Sequence, residues 1–144
     1  MSNFRYARQS VVRWEKRSNV RRRVLIIDDE ADIREVAALS LETIAGWEVI
    51  QAASAVEGVR KAAEQQPDAI LLDLMMPDVD GRTTLIRLQH DPLTSKIPVL
   101  LLTAKVQSYD LESLKDLGLA GVLPKPFDPT TLSDQISAAL RWQK

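Results

Sequence analysis

Five short apolar runs recur along the chain, and each is followed by a segment with helical spacing or a turn. Val24–Asp28, "VLIID", ends in acid and reads as a buried strand. Ala31–Ile44 then carries Ile33, Val36, Ala37 and Ile44 at the spacing of one helix face, and Gly46 marks its stop. Trp47–Ala53 predicts a second strand. Ser54, with Glu57 three residues on, predicts a capping box opening a helix over 55–66, with Val56, Val59 and Ala63 inward and Pro67 just beyond. Ala69–Asp73 predicts strand three, and Gly81–Gln89 a helix with Leu85 and Leu88 inward. "DPLTSKIP" is a turn-rich loop. Pro98–Leu102, with Thr103, predicts strand four. Ser108–Leu117 predicts a helix with Leu111, Leu114 and Leu117 on one side, ended by Gly118. Ala120–Leu123 predicts strand five. Asp128 or Thr130 caps a last helix running to about Trp142, with Leu132, Ile136, Ala139 and Leu140 toward the core.

The order is βα repeated five times. Near-continuous apolar strands alternating with amphipathic helices imply an α/β fold, a five-stranded parallel sheet covered on both faces. Right-handed crossovers make it a doubly wound (βα)5 sandwich. One domain is expected over 24–144, with no output domain behind the sheet.

Composition narrows the chemistry. Among 144 residues there is no cysteine and a single histidine, His90. Disulfides, thiolate zinc sites, cysteine nucleophiles and histidine-cluster metal sites are therefore excluded. No apolar run approaches the ~20 residues needed to cross a bilayer, so membrane insertion is not expected. The N-terminus has no apolar signal region. A soluble, cytoplasmic protein is the expectation. Charge is divided unevenly: residues 1–23 hold eight of the 19 basic residues and one of the 20 acids, whereas 24–144 holds 11 basic and 19 acidic residues. Residues 1–23 thus read as a basic N-terminal extension, flexible or partly helical. Its "RRR" and its aromatics Phe4, Tyr6 and Trp14 come with no nucleic-acid reading motif, so direct DNA binding is not expected.

Ligands of open parallel sheets bind outside the carboxyl ends of the strands. Strand one ends in Asp28, Asp29 and Glu30, strand three in Asp73, strand four in Thr103, and strand five at Pro124 and Lys125. Two carboxylates ~4 Å apart repel by about 4 kcal/mol at an effective dielectric near 20. Such a cluster needs a cation or a proton. An oxygen-only donor set favours Mg²⁺. Lys125 adds a second positive charge, and the edge is suited to a phosphoryl group, whose transfer depends on positioning and charge neutralisation. There is no glycine-rich nucleotide cradle, so the group must arrive on another molecule, with Asp73 a natural carboxylate acceptor.

Four pieces, "IIDDE", "ILLDLMMPDVDG", "IPVLLLTA" and "VLPKPF", stand in an order and spacing that resembles the receiver domain of two-component response regulators, over at least residues 24–128. The stand-alone chemotaxis receiver is the similar type. The resemblance implies a flavodoxin-like sheet of order 2-1-3-4-5. It implies that Asp73 accepts a phosphoryl group from a sensor histidine kinase or a histidine phosphotransfer protein, with Mg²⁺. The metal ligands implied are Asp28, Asp29, Asp73 and the backbone carbonyl of Met75. Lys125 and Thr103 would bind the phosphoryl oxygens, Ala104 is the small residue beside the moving loop, and Lys125–Pro126 is implied to be a cis peptide. The readout implied is a downstream protein partner on the face of the fourth helix, strand five and the last helix, with homodimerisation left open.

Two positions depart from the family's commonest pattern. Val122 stands where an aromatic is common, which weakens a threonine–aromatic switch. Met75 and Lys105, two residues after Asp73 and Thr103, border the path of the hydrolytic water, and Met75 positions water poorly. The expected protein is a switch rather than an enzyme, catalysing only its own phosphoryl transfer and autodephosphorylation. Two alternatives stand beside it: an aspartyl-phosphate phosphohydrolase, and a receiver-like scaffold that works without phosphorylation. Plainer roles suit other residues. Asp78 and Asp80 read as loop formers, Glu30 as a first-turn acid of its helix, His90 as an exposed helix end, and Trp142 as packing on the last helix.

Overall fold

The computed structural model describes residues 21–77, 80–104 and 114–143. Its elements are β1 (Arg23–Ile27), α1 (Ala31–Ala45), β2 (Glu48–Ala52), α2 (Ala55–Gln65), β3 (Ala69–Asp73), α3 (Gly81–His90), β4 (Val99–Thr103), β5 (Leu119–Pro124) and α4 (Leu132–Leu140). The strands pair in parallel in the order β2-β1-β3-β4-β5. This is the doubly wound sheet expected. Most of the predicted helix over 108–117, including Leu111, lies outside the described residues, as do Asp78, Lys105 and residues 1–20.

Side chains alternate across the sheet with the two-residue period of a strand. Val24 and Ile26, Leu71, and Leu100 and Leu102 pack with Ala37, Leu41, Leu132 and Ile136, under α1 and α4. Leu25 and Ile27, Ile70 and Leu72, and Val99 and Leu101 pack with Ala55, Ala62, Leu85 and Leu88, under α2 and α3. β3 and β4 are buried at every position, as a central parallel strand must be.

β1 begins one residue earlier than predicted because Arg23 is pinned from both sides. Its N–H donates to Asp68 Oδ2 (2.8 Å) and its guanidinium to the Gln65 carbonyl (2.6 Å). Gly46 ends α1 as expected, at φ +71°, with its N–H on the Glu42 carbonyl and the Trp47 N–H on the Leu41 carbonyl. Ser54 caps α2 by accepting from the Glu57 N–H, but Glu57 reaches back to the Ala53 N–H, one residue short of a reciprocal box. The Lys125–Pro126 bond is cis, as the resemblance implied.

Three helix faces differ from expectation. On α1 the buried residues are Ala37, Ala38, Ser40 and Leu41, while Val36 and Ile44 are exposed. Ser40 is inward because its hydroxyl donates to the Pro129 carbonyl, which ties α1 to the start of α4. On α2 the inward residues are Ala55, Gly58 and Ala62. Val56 is exposed, and Val59 and Ala63 are only part-buried. On α4, Ala139 is exposed and Ser133 and Ser137 are buried. Its N-cap is Thr131, whose hydroxyl makes no capping bond and donates back to the Asp128 carbonyl. Asp128 instead closes a turn with the Thr130 N–H (2.9 Å) and hydroxyl (2.7 Å).

Small residues set how close α2 lies to the sheet. An ideal Cβ on Gly58 would sit 2.6 and 2.9 Å from Ile27 Cγ1 and Cγ2, and Ile27 is fully buried beneath it. Gly58→Val is therefore expected to cost about 1–3 kcal/mol by overpacking. Urea unfolding checks this, and a midpoint equal to the parent's would contradict so tight an approach.

Candidate functional site

Parallel strands end on the same edge, and the described edge gathers four of the singled-out side chains. Asp28 follows β1 and is fully buried, and Asp73 closes β3 at 2% exposure. Asp29 stands exposed beside them, and one carboxylate oxygen from each of Asp28, Asp29 and Asp73 lies within 4.8 Å of the others. Lys125, just after β5, leans across to this group. Its Nζ is 2.7 Å from Asp28 Oδ2, 3.4 Å from Asp73 Oδ2 and 3.6 Å from Glu30 Oε1.

Each carboxylate is aimed by backbone. Asp28 Oδ1 accepts the Glu30 N–H at 2.9 Å, and Asp73 Oδ1 accepts the Met75 N–H at 3.0 Å. In both cases the acid bonds the amide two residues on, as Asx turns do. The Arg34 guanidinium holds the Asp28 carbonyl at 2.7 Å, and the Lys125 N–H donates to the Thr103 carbonyl at 2.9 Å. The loop after β3 closes through Leu74 and Gly81. A Cβ on Gly81 would meet the Leu74 Cα at 2.9 Å, so glycine permits that contact. Asp80 then caps α3 by accepting the Arg82 N–H, the turn-forming role expected of it.

Burial, and then the neighbouring Asp28 charge, hold the Asp73 carboxyl above its ordinary range, although the Met75 N–H and Lys125 oppose this. Burial alone would lower Lys125. The carboxylates of Asp28, Asp73 and Glu30 outweigh it and hold the ammonium above the usual lysine value. Asp28 Oδ2 is buried, and the Lys125 ammonium pairs with it at 2.7 Å. Three carboxylate oxygens within 4.8 Å of one another, an all-oxygen set, fit a hard divalent cation such as Mg²⁺.

Thr103 is buried at the tip of β4, one residue beyond Leu102, which registers with Asp73. By alternation it belongs to the α2–α3 side of the sheet, as does Val122, which registers with Leu101 and packs on that core. Ala104 is exposed just after β4. The Met75 side chain is 49% exposed at the mouth of the site. Glu30, read from the sequence as an acid at the end of strand one and a first-turn acid of its helix, is the N-cap residue of α1, and its carboxylate also faces Lys125. Sequence reasoning missed Arg34, which clamps the β1–α1 loop, because that role depends on the angle at which α1 leaves the sheet. His90 is exposed at the end of α3. Trp142 packs edge-on against Trp47 at 5.4 Å.

The family described as response regulator receiver domain matches residues 24–137. The transcriptional regulator RpaA of Synechocystis sp. is 44% identical over 119 residues, 83% of this chain and 49% of its own length. The phosphate regulon regulator PhoB of Pseudomonas aeruginosa is 38% identical, over 82% of this chain and 51% of its own. The chain thus spans about half the length of the curated relatives it matches. Among solved structures, the chemotaxis protein CheY4 of Vibrio cholerae superposes with a TM-score of 0.77 at 30% identity, covering 83% of this chain and 99% of that one. The receiver domain of the sensor histidine kinase PA1611 of P. aeruginosa, solved with a magnesium ion in its active-site cleft, gives 0.72 at 26% identity, covering 85% and 98%.

Asp73→Asn keeps an acceptor for the Met75 amide and removes the disfavoured charge. A carboxyl raised on folding stabilises fully below its unfolded value, near 3.8, and loses that contribution as pH rises through the folded one. In metal-free buffer the variant should therefore be more stable than the parent at about pH 7, with the gap closing toward about pH 4. Urea midpoints across that range check this. A variant less stable at neutral pH would refute it.

Proposed function

The chain belongs to the response regulator receiver family, and on that premise we propose that Asp73 is its phosphoacceptor. The donor is a sensor histidine kinase or a histidine phosphotransfer protein. The observation that carries the reading is the buried Asp73 carboxylate, with Lys125 3.4 Å from it and Asp28 and Asp29 beside it.

Asp28, Asp29, Asp73 and the Met75 carbonyl would hold Mg²⁺. When bound, the ion neutralises the acidic cluster and the oxygens of the incoming group. A carboxylate oxygen of Asp73 forms a bond to phosphorus as the bond from phosphorus to the donor imidazole nitrogen breaks. That nitrogen keeps the electron pair and takes up a proton from solvent. Lys125, already shared among three carboxylates, moves its charge onto the phosphoryl oxygens, and the Thr103 hydroxyl donates to them. The modified Asp73 carries roughly −1.5 to −2 charge, enough to bias the loop that begins at Ala104. Val122 is too small to act as a swinging aromatic, so the change passes through Thr103 and this loop. The face of β5 and α4 shifts population toward a form that binds a downstream protein or a second copy.

The receiver unit is 24–144 and residues 1–23 are an extension of it. Its setting is the cytoplasm, and its readout is protein contact rather than DNA contact by the receiver itself. It acts as a switch rather than an enzyme on other substrates. A phosphohydrolase would want a second acid two residues after the nucleophile, where this chain has the exposed Met75.

Incubation with acetyl phosphate and Mg²⁺ should add one phosphoryl group by intact mass, and chelation or Asp73→Asn should abolish the gain. A parent protein that takes no label would favour the phosphorylation-independent scaffold. Met75 leaves the hydrolytic water poorly held, so Met75→Asn should speed loss of the label by roughly tenfold, about 1.4 kcal/mol in the barrier. An unchanged decay rate counts against that role.

A further inference from the structure

Among the described residues, three of the six large apolar side chains that stand exposed, Val36, Leu39 and Ile44, lie on α1. Beside the end of that helix an open groove of ≈ 240 Å³ runs between α1 and α4. Ile44, Ala45 and Trp47 wall one side, and Ser133, Asp134 and Ser137 the other. The chain enters the fold at the rim of this groove. Arg21 donates to the carbonyls of Gly46 (2.7 Å) and Trp47 (3.0 Å). Arg22 lines the groove and sets its guanidinium 4.5 Å from the centroid of the Trp142 ring, which in turn packs on Trp47.

Residue 20 is therefore joined to a segment anchored at the groove mouth. The preceding stretch has the composition to fill it. Residues 11–17, "VVRWEKR", place Val11, Val12 and Trp14 among Arg13, Lys16 and Arg17. Trp14 stands six positions before Val20, a reach of up to ~20 Å. The charges are complementary: residues 1–20 hold five basic residues and one acid, against 11 basic and 19 acidic residues over 24–144. Asp134 lies in the groove, and Glu42 is exposed on the last turns of α1. A short tether also supplies an effective concentration on the order of millimolar, so a shallow apolar contact suffices.

We propose that residues 11–17 of the same chain occupy this groove. Val11, Val12 and Trp14 lie against Ile44 and Ala45, and the basic side chains face Asp134 and Glu42. The arm is then a covering of the α1–α4 face rather than a nucleic-acid contact.

Because the chain has no cysteine, Ser10→Cys gives a single site for a nitroxide on the full-length protein. The expected result is loss of more than about half the amide signal at residues 44–47 and 133–137, with the amides of α2 and α3, on the opposite face of the sheet, broadened far less. Trp14→Ala or Asp134→Lys should restore those signals. Two results would overturn the proposal. One is uniform or absent broadening at the groove. The other is equal broadening in a mixture of spin-labelled unenriched protein and isotope-enriched unlabelled protein, which assigns the contact to a second copy.

Discussion

One ammonium holds the carboxyl edge of the sheet together. Lys125 Nζ lies within 3.6 Å of three carboxylates drawn from the ends of two strands and the start of a helix. Without a positive charge there, Asp28 and Asp73, both nearly or fully buried, would face each other across a low-dielectric site. The geometry follows from that need. β1 and β3 are apolar stems whose burial leaves their terminal acids no freedom to move apart. β5 ends where Lys125 can reach back over β4, with its own N–H tied to the Thr103 carbonyl.

The same arrangement accounts for what the site can do. The ammonium pairs most closely with Asp28 and also reaches Asp73 and Glu30, so its charge serves the whole cluster. Burial holds the Asp73 carboxyl above its ordinary range. A buried cluster of this kind is where perturbed carboxyls are expected at functional sites.

Side-chain parity divides the site into two parts. Asp28, Asp73 and Lys125 continue the strand positions that face α1 and α4, whereas Thr103 and Val122 continue those that face α2 and α3. The clustered carboxylates and Lys125 thus belong to one layer, and Thr103 and Val122 belong to the other. A small Val122 in that second layer is packed on the core rather than poised to swing.

The fold class, five strands, most helix limits and every acid and base at the strand tips were legible in the primary structure. Five strands that share a direction must end on one edge, so reading the residue after each apolar run locates the site without coordinates. The helix faces were less legible. Helical spacing places Ala37 inward, as found, but also Val36, Ile44 and Val56; close approach to the sheet favours the small Ala55, Gly58 and Ala62, and Val36, Ile44 and Val56 face outward. The Arg34 clamp was invisible for a related reason, since it depends on the exit angle of α1. Local pattern determined which chemistry this chain carries and at which edge. Only the packing of helices on the sheet decided which carboxylate Lys125 pairs with most closely and which apolar face stays open, because those depend on distances between segments far apart in sequence.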